Sequence, residues 1–116
     1  MVHTALEAAE ELSKYGISVE VVDPRSLSPL DEETILGSVK KTHRLVAVDE
    51  DNPRCGMAAD VIALVAQKAF DYLDAPIGRV AALDAPIPFE PRLEEFVLPN
   101  PDKIAKAIKQ TLGVAV

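Results

Sequence analysis

The sequence contains no tryptophan, a single cysteine and fewer basic than acidic residues, 12 against 19. Because Cys55 has no second cysteine to pair with, no internal disulfide is possible, which favours a reducing compartment. The net charge of −7 disfavours nucleic acids and anionic membranes as partners, since both attract basic patches. The first residues do not resemble a secretory leader, and no apolar run approaches the ~20 residues of a membrane-spanning helix. We therefore expect a cytoplasmic protein.

Residue patterns that would indicate catalysis are also scarce. The glycines are isolated rather than clustered in a phosphate-binding loop. Cys55 precedes Gly56 at a predicted helix start, where a helix dipole can activate a thiol, yet no histidine is near it in sequence, so a turn residue is the favoured interpretation. His3 and His43 are far apart and lack neighbouring metal ligands. We predict no catalytic, cofactor-binding or metal-binding residue in this chain.

One acidic run, Asp49–Asp51, follows a predicted strand. Ligands of α/β proteins usually bind at the C-terminal edge of the parallel sheet, so this run could hold a cation. A solvated loop is the simpler interpretation and the one we favour.

Helical and strand periods alternate along the chain. At 116 residues, 48% of them hydrophobic, the chain suits one domain, residues 1–116, with an aliphatic core. Continuous apolar strands between amphipathic helices are typical of an α/β fold, here three-layer α/β/α with a mostly parallel sheet. Residues 84–101 carry five of the nine prolines and predict an extended surface arm. The predicted helices span about 4–15, 31–41 and 56–73, with a last one after Asn100, and the predicted strands span 17–22, 45–48 and 78–83.

Local residues mark the predicted helix ends. Thr4 with Glu7 fits a capping box at the first helix, and Gly16 supplies its C-terminal stop. Asp31 is the expected N-cap of the second helix, and Gly113 is expected to end the last one.

The helix predicted at 56–73 has an unusually apolar circumference. Only Asp60, Gln67, Lys68 and Asp71 are strongly polar, and they share an arc of about 100°. Such a helix is buried on more than one side, either as the central helix of an ordinary three-layer domain or against a partner surface. Both interpretations stay open.

With these elements placed, residues 21–35 resemble a block typical of one family. Their sequence, Val-Val-Asp-Pro-Arg-Ser-Leu-Ser-Pro-Leu-Asp-Glu-Glu-Thr-Ile, is similar to the V-D-x-R-S/T-L-x-P-L-D-x-E/D-T-I/V block of transketolase C-terminal domains. The closest version of that block occurs in beta subunits of thiamine-diphosphate-dependent 2-oxo acid dehydrogenases. Further matches lie in residues 40–50, 69–77 and 84–89.

Two departures from the family pattern qualify the resemblance. Residues 53–60, Pro-Arg-Cys-Gly-Met-Ala-Ala-Asp, look more like acetoin dehydrogenase beta subunits than like the Gly-rich stretch of pyruvate-type members. Family members also have two strands before the first helix, the second of them in the middle of the sheet. We therefore expect an N-terminally truncated domain that lacks its first two strands. Unpaired strand edges in such a domain predict self-association, as a homodimer.

The resemblance implies a role in assembly rather than in chemistry. In the family, thiamine diphosphate and magnesium belong to the parent enzyme and are held through parts that this chain lacks. The C-terminal domain holds the alpha and beta subunits together and contributes to docking the acyltransferase core. We expect a catalytically silent subunit-assembly domain, with the long apolar helix and the Pro-rich arm at interfaces. Asp74 and Val116 are the candidate docking residues.

Two other interpretations remain open at this point. The chain could be a standalone α/β ligand-binding module that uses the loop at 49–52. It could also be the C-terminal domain of another transketolase-like enzyme, such as a deoxyxylulose-phosphate synthase, although the matches at 70–76 and 86–89 argue against that.

Overall fold

The structure is a computed structural model that describes residues 1–114. Within them the chain forms five α-helices, two short β-strands and one 3₁₀ helix. In chain order these are α1 (Val2–Ser13), α2 (Glu32–Thr42), β1 (Val46–Val48), α3 (Met57–Lys68), the 3₁₀ helix (Phe70–Tyr72), β2 (Gly78–Val80), α4 (Pro91–Val97) and α5 (Pro101–Leu112).

The two strands form a parallel pair that is covered by helices on both faces. Val46 lies opposite Gly78 and Val48 lies opposite Val80. Because side chains alternate along a strand, Val46 and Val48 pack on the α1–α5 layer, whereas Leu45 packs on the α2–α3 layer. This arrangement confirms the α/β class with a parallel sheet between two helical layers. The buried centres of the two layers are Ala8, Val80 and Ile104 on one side and Ile35, Val39, Val65 and Ala69 on the other.

The predicted ends of the second and last helices are confirmed. Asp31 accepts a hydrogen bond from the Thr34 backbone N–H at 3.1 Å, as an N-cap side chain does. Asn100 caps α5 in the same way, with its Oδ1 2.9 Å from the Lys103 backbone nitrogen. Gly113 ends α5 with φ +71°, a left-handed conformation that glycine adopts without a steric penalty.

The first helix begins earlier than predicted. It starts at Val2, so Thr4 lies inside its first turn and no side chain caps its N-terminus. The capping box expected from Thr4 and Glu7 is therefore wrong. The C-terminal stop is confirmed, because Gly16 has φ +76° and the Ile17 N–H donates to the Leu12 carbonyl at 3.2 Å.

The strand predicted at residues 17–22 is not part of a sheet in the described chain. A strand is stabilised by a ladder to a neighbour, and no backbone group of residues 18–23 is hydrogen-bonded within residues 1–114. The segment is held from one side instead. Val22 packs on the α2–α3 layer, and the Glu20 carboxylate pairs with the Lys41 ammonium. The sheet of the described residues consequently has two strands where the sequence predicted three.

Two further boundaries differ from the prediction. The helix expected at 56–73 stops at Lys68, because Ala69 leaves the helical region with φ −140°, and a 3₁₀ helix follows. The arm expected to be extended contains α4, whose first residue is Pro91 and whose N-cap is Glu90. Proline is favoured at that position since its missing N–H needs no partner in a first helical turn.

The Asp31 cap makes stability depend on pH at the acid end. The hydroxyl and backbone N–H of Thr34 both donate to this carboxylate and hold its pKa below the usual value. Because the unfolded chain then binds more protons than the folded chain, the Asp31 contribution is present above the unfolded pKa of about 4 and is lost as the pH falls through the folded value.

We therefore expect the Asp31→Asn variant to show a shallower loss of stability on acidification than the wild type. Asparagine keeps a capping oxygen and removes the titration. Urea denaturation at a series of pH values between neutrality and about pH 2 measures this difference. If the unfolding free energies of the two proteins fell equally steeply on acidification, the assignment of this pH dependence to Asp31 would be contradicted.

Candidate interaction site

The predicted docking residue Asp74 lies in an exposed loop between the 3₁₀ helix and β2. Its backbone N–H donates to the His43 carbonyl at 2.9 Å, and His43 Nδ1 lies 2.8 Å from the Tyr72 carbonyl oxygen. These bonds tie the loop to the C-terminus of α2 while the Asp74 side chain stays exposed to solvent. The second predicted docking residue, Val116, lies outside the described residues.

The acidic run after β1 forms a helix cap. Asp49 Oδ2 accepts from the Ala58 backbone N–H at 3.2 Å, and its Oδ1 accepts from the Asp51 N–H at 3.1 Å. A carboxylate at this place also complements the positive end of the α3 dipole. A side chain at Gly56 would approach the Asn52 carbonyl to 2.7 Å, so glycine is required where the loop meets the helix. The backbone amide contacts of Asp49 account for its place in this loop without a ligand.

The other residues considered for chemistry are far apart in sequence and form no hydrogen bonds with one another. Cys55 is exposed at a left-handed backbone position with φ +57°. His43 bonds to the Tyr72 carbonyl, and His3 is exposed on α1. Within residues 1–114 no group of three or more His, Cys, Asp or Glu side chains could hold a metal ion. None of the helices in the same residues is long and apolar enough to cross a bilayer.

The segment from Leu83 to Val97, here named the apolar arm, is tied to the body at several points. The Leu83 N–H donates to the Val97 carbonyl at 3.0 Å, which closes the arm on itself. Arg54 forms an ion pair with Asp84 at 3.0 Å. With its amide nitrogen facing the arm, Asn52 donates to the Leu83 carbonyl at 3.0 Å.

The helical part of the arm is capped at both ends. Glu90 Oε2 accepts from the Leu93 N–H at 2.9 Å at the start of α4. The Lys103 ammonium, from α5, donates to the carbonyls of Phe96 and Leu98 at 2.6 and 2.7 Å at its end. A lysine near a helix C-terminus satisfies carbonyls that lack intrahelical partners. Specific hydrogen bonds, an ion pair and the buried side chain of Val97 therefore position the arm.

Large apolar side chains of the arm face solvent. Phe89 is 100% exposed and Phe96 is 67% exposed. A segment that is held in place and still displays several large apolar groups is typical of a surface that is buried in an assembly. The exposed large apolar residues of the arm are Leu83, Ile87, Phe89, Leu93 and Phe96.

The third helix is covered on one side only. Ala58 and Val65 are buried, whereas Ile62 and Leu64 remain half-buried. The apolar surface of α3 that the sequence indicated is thus only partly buried by other parts of the described chain. Because none of the large apolar side chains of α3 is exposed, the burial pattern leaves both the central-helix and the partner-surface interpretations open.

A cleft of about 530 Å³, here named the central cleft, separates residues 17–22 from β1. One wall is the extended segment at 17–22 and the other is the edge of β1 that does not face β2. Apolar side chains from both helical layers complete it: Ala5, Ile104 and Ile108 from one layer and Val39 and Val61 from the other.

Sequence comparison identifies the fold family. The family model described as "Transketolase, C-terminal domain" matches residues 1–104. The chain belongs to this transketolase C-terminal domain family. The block at residues 21–35 that carried the resemblance lies inside the match and runs from the lining of the central cleft into α2.

Relatives of this transketolase C-terminal domain are beta subunits of two kinds of dehydrogenase. It is 58% identical over 112 residues to the acetoin:2,6-dichlorophenolindophenol oxidoreductase subunit beta of Bacillus subtilis, covering 97% of this chain and 33% of the relative. The corresponding subunit of Cupriavidus necator is 52% identical over the same shares. The mitochondrial pyruvate dehydrogenase E1 component subunit beta of Saccharomyces cerevisiae is 47% identical, covering 97% of this chain and 31% of the relative. The chain spans about a third of the length of these curated relatives.

The sequence predicted some features of the site and missed others. The arm was expected at an interface, and its exposed apolar groups support that expectation. The helix inside it was missed, although Pro91 after Glu90, followed by Leu93, Glu94 and Phe96, is a usable helix-start signal. The central cleft agrees with the expectation of a sheet without its middle strand, which came from the family resemblance and not from a local residue pattern.

Proposed function

We propose that this chain is a subunit-assembly domain of a thiamine-diphosphate-dependent 2-oxo acid or acetoin dehydrogenase beta subunit and is catalytically silent on its own. In the intact enzyme its partners would be an alpha subunit and the acyltransferase core. Thiamine diphosphate and magnesium would be bound by the parent assembly and not by this chain.

The observation that carries the proposal is the apolar arm. Asn52 and Lys103 donate to its backbone carbonyls, and Arg54 pairs with the Asp84 carboxylate. Its phenylalanine and leucine side chains nevertheless lie in water. Burying one such side chain stabilises a complex by about 1.5–3 kcal/mol, so several of them suffice for a stable interface. The half-buried Ile62 and Leu64 of α3 offer a smaller additional contact area.

The proposal extends to partners and domain boundaries. Self-association as a homodimer is supported by the exposed arm, because a surface of this kind associates with itself when no other subunit is present. Docking of the acyltransferase core through Asp74 and Val116 is supported by the net charge of −7 and by the exposure of Asp74. That residues 1–116 are one domain continuing N-terminally in the intact protein is supported by the length of the relatives.

The substrate and compartment belong to the same proposal. An acetoin-type substrate is favoured over pyruvate because the B. subtilis acetoin subunit is 58% identical and the yeast pyruvate subunit 47%. A cytoplasmic location is supported by the lone cysteine, which leaves no internal disulfide to maintain.

We expect no turnover when the purified chain is incubated with thiamine diphosphate, Mg²⁺ and either acetoin or pyruvate. Reduction of dichlorophenolindophenol measures oxidation, with an intact alpha–beta acetoin dehydrogenase as the positive control. Dye reduction by the chain alone, proportional to its concentration, would contradict the silent-domain proposal.

A further inference from the structure

We propose that Lys103 is a positioning residue for subunit assembly: its ammonium group fixes α4 and the Phe96 ring in the orientation in which the apolar arm binds the alpha subunit. The proposal rests on the proposed function, because it names the residue that prepares the arm for that partner. Lys103 itself lies on α5, outside the arm, and is half-buried.

Lys103 holds the C-terminus of α4 through two hydrogen bonds. Its Nζ donates to the Phe96 carbonyl at 2.6 Å and to the Leu98 carbonyl at 2.7 Å. No backbone N–H group within residues 1–114 donates to either carbonyl, so the ammonium group satisfies both of them. Hydrogen bonds from a charged donor are shorter and stronger than neutral ones, which suits them to hold a helix end in one place.

The same ammonium group orients a side chain of the arm. Lys103 Nζ lies 5.8 Å from the centroid of the Phe96 ring, within the range of a cation–π contact. Because most of this ring is exposed, burial alone does not fix its direction. One residue therefore sets both the backbone of α4 and the direction of an aromatic side chain that the partner would bury.

The position of Lys103 in the sequence of α5 is unfavourable for its own helix. It follows the N-cap Asn100 by three residues and so lies in the first turn. A cation at that place is opposed by the positive end of the helix dipole. The unpaired carbonyls at the C-terminus of α4 supply the compensating negative potential. The charge of Lys103 therefore stabilises the arm rather than α5.

The body of the protein gives α4 few other contacts. Asn52 and Arg54 bind only the first residues of the arm, and Val97 is buried at its end. The hydrogen bonds of residues 86–95 in the described part of the chain are local to α4 and its caps. Without the Lys103 ammonium group we expect α4 to sample several orientations, of which only a fraction can bind the partner.

This role predicts a specific change in binding kinetics. When only a fraction of the molecules is competent to bind, the apparent affinity falls by that fraction. The association rate constant carries this loss, because the complex has the same contacts with its partner once it has formed. Removal of a direct contact, as in Phe89→Ser with Leu93→Gln, instead raises mainly the dissociation rate constant.

Surface plasmon resonance on an immobilised acetoin dehydrogenase alpha subunit measures both rate constants. Lys103→Met keeps the length and helix propensity of lysine, and we expect it to lower the association rate constant about tenfold and to change the dissociation rate constant by less than about twofold. Lys103→Arg keeps a charged donor and should restore association to within about threefold of the wild type. Lys106→Met, at an exposed lysine three residues further along α5, is the matched control and should bind like the wild type.

NMR relaxation of the backbone amides tests the orientation of α4 without any partner. The measurement uses the variant Phe89→Ser with Leu93→Gln, so that self-association through the arm does not order it. We expect order parameters of about 0.85 for residues 92–97 when Lys103 is present. Adding Lys103→Met should lower them below about 0.6, whereas adding Lys106→Met should leave them unchanged.

Four results would overturn the proposal. Two concern relaxation: order parameters below about 0.6 with Lys103 present, or values that Lys103→Met does not change. The third is a Lys103→Met chain that associates with the alpha subunit at the wild-type rate. The fourth is a Lys103→Met chain that circular dichroism shows to be unfolded, because its role would then be in the whole fold. A wild-type chain that does not bind the alpha subunit would contradict the proposed function instead, and the relaxation data would still decide whether Lys103 positions α4.

Discussion

We expect the Leu12→Ala variant to lose about 2–5 kcal/mol of unfolding free energy. Leu12 is 1% exposed and lies on α1 against α5, beside Ala105. Removing its isopropyl group loses the transfer free energy of the buried atoms and leaves a cavity where α1 packs against α5. Domains of this size have a total stability of about 5–15 kcal/mol, so the loss is a large fraction of the whole.

The same helix supplies a matched control. Leu6 also lies on α1 but is 48% exposed, so Leu6→Ala should cost less than about 1 kcal/mol. Thermal unfolding followed by circular dichroism should lower the midpoint by roughly 8–20 °C for Leu12→Ala and only slightly for Leu6→Ala. Equal shifts for the two variants would contradict the packing of α1 described for this fold.

The second large effect concerns association. The double variant Phe89→Ser with Leu93→Gln removes two exposed apolar side chains of the arm without touching a buried residue. If each contributes about 1.5–3 kcal/mol to an interface, self-association should weaken at least 100-fold. Glutamine at position 93 keeps a good helix former in α4, so its helical structure is retained.

A matched variant distinguishes an effect specific to the arm from the effect of removing any exposed aromatic side chain. Phe70 is 68% exposed but lies in the 3₁₀ helix, outside the arm. Size-exclusion chromatography with light scattering should show a wild-type dimer, a Phe70→Ser dimer and a monomeric arm variant at the same concentration. A Phe70→Ser monomer beside an unchanged arm variant would assign the interface elsewhere.

The sequence predicted those parts of the fold that depend on neighbouring residues. Asp31 and Asn100 marked helix starts since their side chains bond to backbone N–H groups three residues on, and Gly16 and Gly113 marked helix ends through their positive φ. The continuous apolar run around Val46 identified β1 in the same local way.

The strand prediction failed because a strand depends on a distant partner. Residues 17–22 have the β-branched composition of a strand, but a ladder needs a neighbour, and the central cleft lies where that neighbour would be. The break at Ala69 follows no helix-stop residue, because alanine is a good helix former. The block at residues 21–35 indicated the family more directly than any local structure did.

The most direct test of the assembly role is sedimentation velocity of the fluorescently labelled chain mixed with an acetoin dehydrogenase alpha subunit. The chain should sediment with the alpha subunit. The double variant Phe89→Ser with Leu93→Gln should abolish this co-sedimentation, whereas Phe70→Ser should not. A wild-type chain that sediments as a free monomer at every alpha-subunit concentration would contradict it.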